Sequence, residues 1–141
     1  MIKEQIKKDL KNTIQSVVGV YIEDVHLEHP EDPTYGDFSS SFALAGFDGV
    51  SDKYQNPRDL ADVVASNFPR VNYIEKVEVA GPGFINFYLD KNWLVEEMRR
   101  VIEKGEKYGQ RNVLEGKSYL LEHTSPNPQT TIMLGHLRNN F

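Results

Sequence analysis

The chain contains no cysteine, which excludes disulfides and thiolate metal sites. Long apolar runs are missing too. None approaches the roughly 20 residues that a membrane-crossing helix needs, and no signal peptide precedes the first helical pattern, so a cytoplasmic protein without a membrane partner is expected. Histidine is sparse: His26, His29, His123 and His136 are scattered without metal-ligand spacing, and no metal site is expected. An excess of positive charge is also absent, the formal net charge being −5. That counts against a protein that grips nucleic acid through a broad basic face, and leaves room for an RNA contact made by one small patch. Internal repeats and low-complexity tracts do not occur.

What is present fits one domain. The 141 residues are 39% hydrophobic, enough for one core but not for a core plus a complete nucleotide-binding domain. Ile2, Ile6, Leu10, Ile14 and Val17 or Val18 recur at helical spacing, and Gly19 marks the stop, so residues 2–18 read as an amphipathic helix. Residues 20–27 are β-branched and roughly alternating, which predicts a strand; 28–37 are a loop with two prolines and a glycine. Residues 38–44 predict a second strand, with Phe38, Phe42 and Leu44 on one face and Ser39, Ser41 and Ala43 on a solvated face. Asn56-Pro57-Arg58-Asp59 is a compact helix start, followed by the stripe Leu60, Val63, Val64 and Phe68, with Pro69 ending the helix. Residues 73–80 and 84–89 flank the turn Gly81-Pro82-Gly83 and predict a hairpin. Asp90 caps a third helix whose buried stripe is Trp93, Leu94, Met98, Val101 and Ile102, with Gly105 at its end. This order, α-β-β-α-β-β-α, predicts an α+β fold: an antiparallel sheet with helices packed on one face.

The strand at 84–89 carries the first functional hint. Ile85, Phe87 and Leu89 share one face and form obvious core; Phe84, Asn86 and Tyr88 share the other. Two rings flanking an amide suit a single nucleobase, with rings to stack and a donor–acceptor group to test a base edge. The competing reading is packing, with both rings under a loop or helix and Asn86 capping a backbone group.

The second hint lies at 119–141. Tyr119-Leu120-Leu121 reads as a short strand, residues 122–131 are irregular because of Pro126 and Pro128, and Ile132 to Arg138 look like a helix start. Strand, glycine-containing turn and helix N-terminus together favour an anion. One strand does not make a parallel sheet, so this stretch predicts the first strand and loop of a Rossmann-like domain.

These residues carry a resemblance. Tyr35-Gly36-Asp37-Phe38, Asn56-Pro57-Arg58, the run from Val79 to Leu89, Glu122-His123-Thr124-Ser125-Pro126-Asn127 and Gly135-His136-Leu137-Arg138-Asn139 resemble arginyl-tRNA synthetases, class I enzymes with an HxGH nucleotide motif. Met133-Leu134-Gly135-His136 is similar to that motif except that Met133 stands for the first histidine.

The resemblance implies an additional domain over 1–108 that docks on the tRNA elbow and contacts a D-loop nucleotide. It further implies a linker over 109–117, and the start of the catalytic domain over 118–141. It implies tRNA contacts from Phe84, Asn86 and Tyr88. It assigns arginine binding to Glu122, Ser125 and Asn127, ATP binding to Met133, Gly135 and His136, and a catalytic role to His136. ATP, with magnesium, would be a substrate beside arginine; no tightly bound cofactor is implied, and the partner would be tRNA(Arg), engaged by a monomer. Met133 cannot donate to phosphate, and losing one preorganised donor costs on the order of 10²–10³ in rate unless another donor replaces it. The KMSKS loop would lie beyond Phe141, so the 141 residues alone are expected to be inactive. The alternative reading is a freestanding α+β module acting through protein partners, which the acidic charge favours.

Overall fold

The structure, a computed structural model, describes residues 2–110 together with Gly116, Ser118 and Leu120. Residues 1–105 form one compact unit and 106–141 a second. The strand and helix start expected within 119–141 lie outside the described residues, apart from Leu120.

The first helix, α1 (Ile2–Val18), buries Ile6, Leu10, Ile14 and Val18, the i, i+4 stripe that its sequence predicts. A three-stranded antiparallel sheet follows, made of β1 (Phe38–Ser40), β2 (Ile74–Ala80) and β3 (Phe84–Leu89) in the order β1-β3-β2. β3 is central, and its alternation fixes the inside of the fold. Ile85 and Phe87 are fully buried, and Phe68 meets the Phe87 ring edge-on at 5.1 Å between centroids. Each such side chain contributes roughly 1.5–3 kcal/mol by leaving water.

Between β1 and β2 run α2 (Phe42–Gly46) and α3 (Pro57–Ser66). α3 starts as its sequence requires: the Asn56 side chain accepts from the Asp59 N–H at 3.0 Å, and Pro57 occupies the first turn, where a missing N–H costs nothing. Leu60, Ala61 and Val64 then join the α1 stripe in one core. The Tyr73 hydroxyl donates to Asp9, tying the start of β2 to α1, and burial pushes its ionisation above the usual tyrosine range.

α4 (Lys91–Lys104) closes the unit, its first turn capped by Asp90, which accepts from the Trp93 N–H at 2.9 Å. No described helix is long and apolar enough to cross a membrane.

Three expectations are corrected. Residues 20–27 form no strand and bend at Glu23; only Glu28 pairs with Ser39, through two backbone bonds of 3.0 and 2.8 Å. Side chains satisfy this segment instead: the Ser40 hydroxyl donates to the His26 carbonyl, and Lys11 donates to that of Glu23. The strand expected over 38–44 stops at Ser40 because the chain turns into α2. Leu44 and Ala45 donate to the Ser41 carbonyl, and the Ser40 hydroxyl accepts from the Phe42 N–H, a local alternative that serines offer to a ladder. Ser39 and Ala43 are therefore buried rather than on a wet face. Finally, α4 buries none of its residues: Met98 is 64% and Ile102 78% exposed. Helical periodicity locates an apolar side; it does not supply something to cover it.

Candidate nucleic-acid interface

The outward face of β3 opens into a groove of about 370 Å³ whose lining includes Phe84, Asn86, Ser39, Tyr35 and the hairpin tip at Ala80–Pro82. That volume falls in the range of small-ligand sites. Its floor is set by strand register. Ser39 of β1 stands opposite Asn86, and its hydroxyl donates to Asn86 Oδ1 at 2.8 Å. Asn86 is 2% exposed, so this bond also fixes its rotamer. No hydrogen bond to Asn86 Nδ2 exists among the described residues. No fully buried side-chain nitrogen or oxygen among them lacks a partner either. Asn86 nevertheless lines the groove, with its N–H₂ unpaired among the described residues.

Phe84 is partly buried and lines the wall at the hairpin tip. Two contacts hold that tip. Arg58 donates to the Gly81 carbonyl at 2.8 Å. Gly83, at φ +141°, lies so close to α3 that a Cβ would sit 3.0 Å from the Pro57 carbonyl carbon and oxygen. Only glycine allows this approach.

Tyr88 does not line the groove. Its hydroxyl donates to the Thr34 carbonyl at 2.9 Å, and Lys76 Nζ sits 4.0 Å from its ring centroid. Desolvation, reinforced by the Glu78 carboxylate, holds the Tyr88 hydroxyl above its usual pKa, so it keeps the proton it donates.

The opposite wall is the turn at Pro33–Tyr35. Asp32 caps it, accepting from the Thr34 N–H at 2.9 Å and the Thr34 hydroxyl at 2.7 Å; these bonds, the backbone one first, hold its carboxyl below the ordinary value. The turn is clamped to β3: Asp37 N–H donates to the Phe87 carbonyl at 2.9 Å, and Asp37 Oδ2 accepts from the Leu89 N–H at 2.8 Å. Between them Gly36, at φ +94°, passes so near that a Cβ would lie 2.7 Å from the Phe87 oxygen. The described lining holds two carboxylates, Glu28 and Glu31, and neither lysine nor arginine, although Arg58 reaches the Gly81 carbonyl at the tip; such a lining suits an uncharged ring better than a phosphate.

Of the three residues predicted to face RNA, Phe84 and Asn86 meet in one groove and Tyr88 is set apart from it. The sequence singles out Tyr35 and Arg58 only as carriers of the resemblance, without a role, and does not disclose Ser39 as the amide's anchor. An aromatic directly before a glycine, two residues ahead of the Asp37 clamp, was the available signal for Tyr35. Glu122, Ser125, Asn127, Met133, Gly135 and His136 lie outside the described residues.

Comparison with known proteins identifies the framework. The family model described as the arginyl tRNA synthetase N terminal domain matches residues 2–89. The chain belongs to this family. Arginine–tRNA ligase 2 of Bacillus thuringiensis subsp. konkukian is 38% identical over 143 residues, covering 96% of this chain and 25% of that protein. The arginine–tRNA ligase of Staphylococcus aureus is 34% identical over 146 residues, covering 98% of this chain and 26% of that protein. The chain thus spans about a quarter of the length of the curated relatives it matches. Two solved arginyl-tRNA synthetases share the fold. That of Plasmodium falciparum gives a TM-score of 0.64 at 20% identity, over 71% of this chain and 18% of that one. That of Thermus thermophilus gives 0.57 at 20% identity, over 99% of this chain and 21% of that one.

Proposed function

We propose that this chain supplies the tRNA-docking part of an arginine–tRNA ligase, with residues 84–86 reading one unpaired nucleotide of the tRNA(Arg) elbow. The observation that carries this reading is the groove itself. Phe84 offers a ring, Asn86 offers a fixed N–H₂ donor, and Ser39 and Arg58 hold the two in place. A donor fixed in this way selects a base edge with an acceptor, while the ring accepts any base, so affinity and selectivity are divided between two side chains. The acidic groove supports a base contact rather than a phosphate contact.

The longer reaction is part of the same proposal. Arginine and ATP, with magnesium, would form arginyl-adenylate and then arginyl-tRNA in a cytoplasmic monomer. Residues 1–108 would serve as the docking domain, 109–117 as linker and 118–141 as the first part of the catalytic domain. Glu122, Ser125 and Asn127 would hold arginine; Met133, Gly135 and His136 would face ATP, with His136 donating to developing phosphate charge. Because the chain spans a quarter of its relatives' length, these 141 residues alone are proposed not to form adenylate. ATP–pyrophosphate exchange with arginine and tRNA present tests this, and exchange above blank refutes it.

The docking role is tested by tRNA(Arg) binding measured by fluorescence anisotropy at several salt concentrations. Phe84→Ala and Asn86→Ala should each weaken binding about tenfold. Unchanged affinity in both variants would remove the groove from the account.

A further inference from the structure

We propose that Tyr35, not Tyr88, is the second aromatic plate of the nucleotide site, so that one unpaired nucleobase enters between Tyr35 and Phe84 with its edge against the Asn86 amide. The inference rests on the docking role proposed above and adds a residue to it. Tyr35 and Phe84 line the same groove, whereas Tyr88 is spent on the turn: its hydroxyl supports the Thr34 carbonyl from below. Tyr88 thus acts one step removed, as a prop beneath the residue that precedes Tyr35.

The position of Tyr35 is built rather than incidental. The turn that carries it is pinned on both sides. Asp32 bonds the Thr34 N–H and hydroxyl ahead of it; behind it Asp37 makes two bonds to β3, and Gly36 is pressed to the Phe87 carbonyl. His29 Nδ1 adds a bond of 2.7 Å to the Asp37 carbonyl. Yet Tyr35, the residue these contacts position, is 52% exposed. A rigid backbone presenting an uncovered aromatic beside a fixed amide is what stacking recognition needs, because little ordering entropy remains to be lost on binding. Glu28 and Glu31 at the same groove define the ligand further: an unpaired base with its phosphates held outside.

The test uses the 141-residue chain and tRNA(Arg) transcript, with Tyr35→Ala, Tyr35→Phe, Phe84→Ala and Asn86→Ala compared by anisotropy. Tyr35→Ala should weaken binding about tenfold, comparable to Phe84→Ala, and Tyr35→Phe should restore affinity to within about twofold, since stacking needs the ring and not the hydroxyl. The slope of log affinity against log salt should not change in Tyr35→Ala, because no phosphate contact is lost. As a direct readout, Tyr35→Trp in a Trp93→Phe background should show emission quenched on adding transcript. If Phe84→Ala and Asn86→Ala weaken binding while Tyr35→Ala does not, the two-plate site is wrong and the docking role stands. If none of the substitutions matters, both fall. A change in salt slope with Tyr35→Ala would also overturn the inference.

Discussion

The two faces of β3 are six residues of one strand with opposite duties. Inward, Ile85 and Phe87 are completely buried and touched by side chains from α3's end and the core. Outward, Phe84 and Asn86 border a groove, and the buried amide is fixed by one hydroxyl. Inward packing fixes where the strand lies, and that rigidity passes directly to the outward face. A groove on a central strand therefore needs few contacts of its own: Ser39 for the amide, Arg58 for the hairpin tip, and the Asp37 clamp for the opposite wall.

Substitutions can separate the faces. Phe87→Ala should cost about 3–5 kcal/mol of stability by denaturant unfolding, since it empties the centre of the core. Leu10→Ala, on the helix that covers that core, should cost about 2–5 kcal/mol by the same measurement. Asn86→Ala should cost less, about 1–3 kcal/mol, because it strands the buried Ser39 hydroxyl, but should also weaken RNA binding. A loss from Asn86→Ala as large as that from Phe87→Ala would mean that the outward face is structural after all. Smallest of all, Met98→Ala on exposed α4 should stay within about 0.5 kcal/mol.

Asp32 gives the comparison a pH arm. Its folded pKa is lowered by the two Thr34 donors, so the stabilisation it gives the Tyr35 turn is present above its ordinary value of 3.8 and fades as pH falls through the lower folded value. An NMR titration into the acid range should move the Thr34 amide while leaving Phe87 unmoved.

The contrast between α1 and α4 shows what the sequence could disclose. Both carry apolar side chains at helical spacing; α1 stops at Gly19, and α4 starts at its Asp90 cap and stops at Gly105, as their sequences predict. The stripe of α1 is sealed in the core, while that of α4 is exposed among the described residues, and the family match ends at residue 89, just before α4 starts. Periodicity records local chemistry; burial depends on a partner that periodicity does not name. The hairpin was fully legible because its turn residues and its alternation agree. The segment 20–27 was not, because its β-branched alternation is equally served by an irregular segment bonded through side chains. In the site, alternation correctly brought Phe84 and Asn86 to one face. It also carried Tyr88 there, and only the three-dimensional course of the turn at Pro33–Tyr35 shows Tyr88 occupied and Tyr35 in the groove.

The most direct measurement is a two-by-two comparison. Binding of the chain and of Phe84→Ala is measured for tRNA(Arg) and for transcripts made abasic at each D-loop position in turn. The account predicts one position at which the missing base weakens the chain about tenfold yet leaves Phe84→Ala unaffected, a coupling between that ring and that base. Equal losses for both proteins at every position would contradict it.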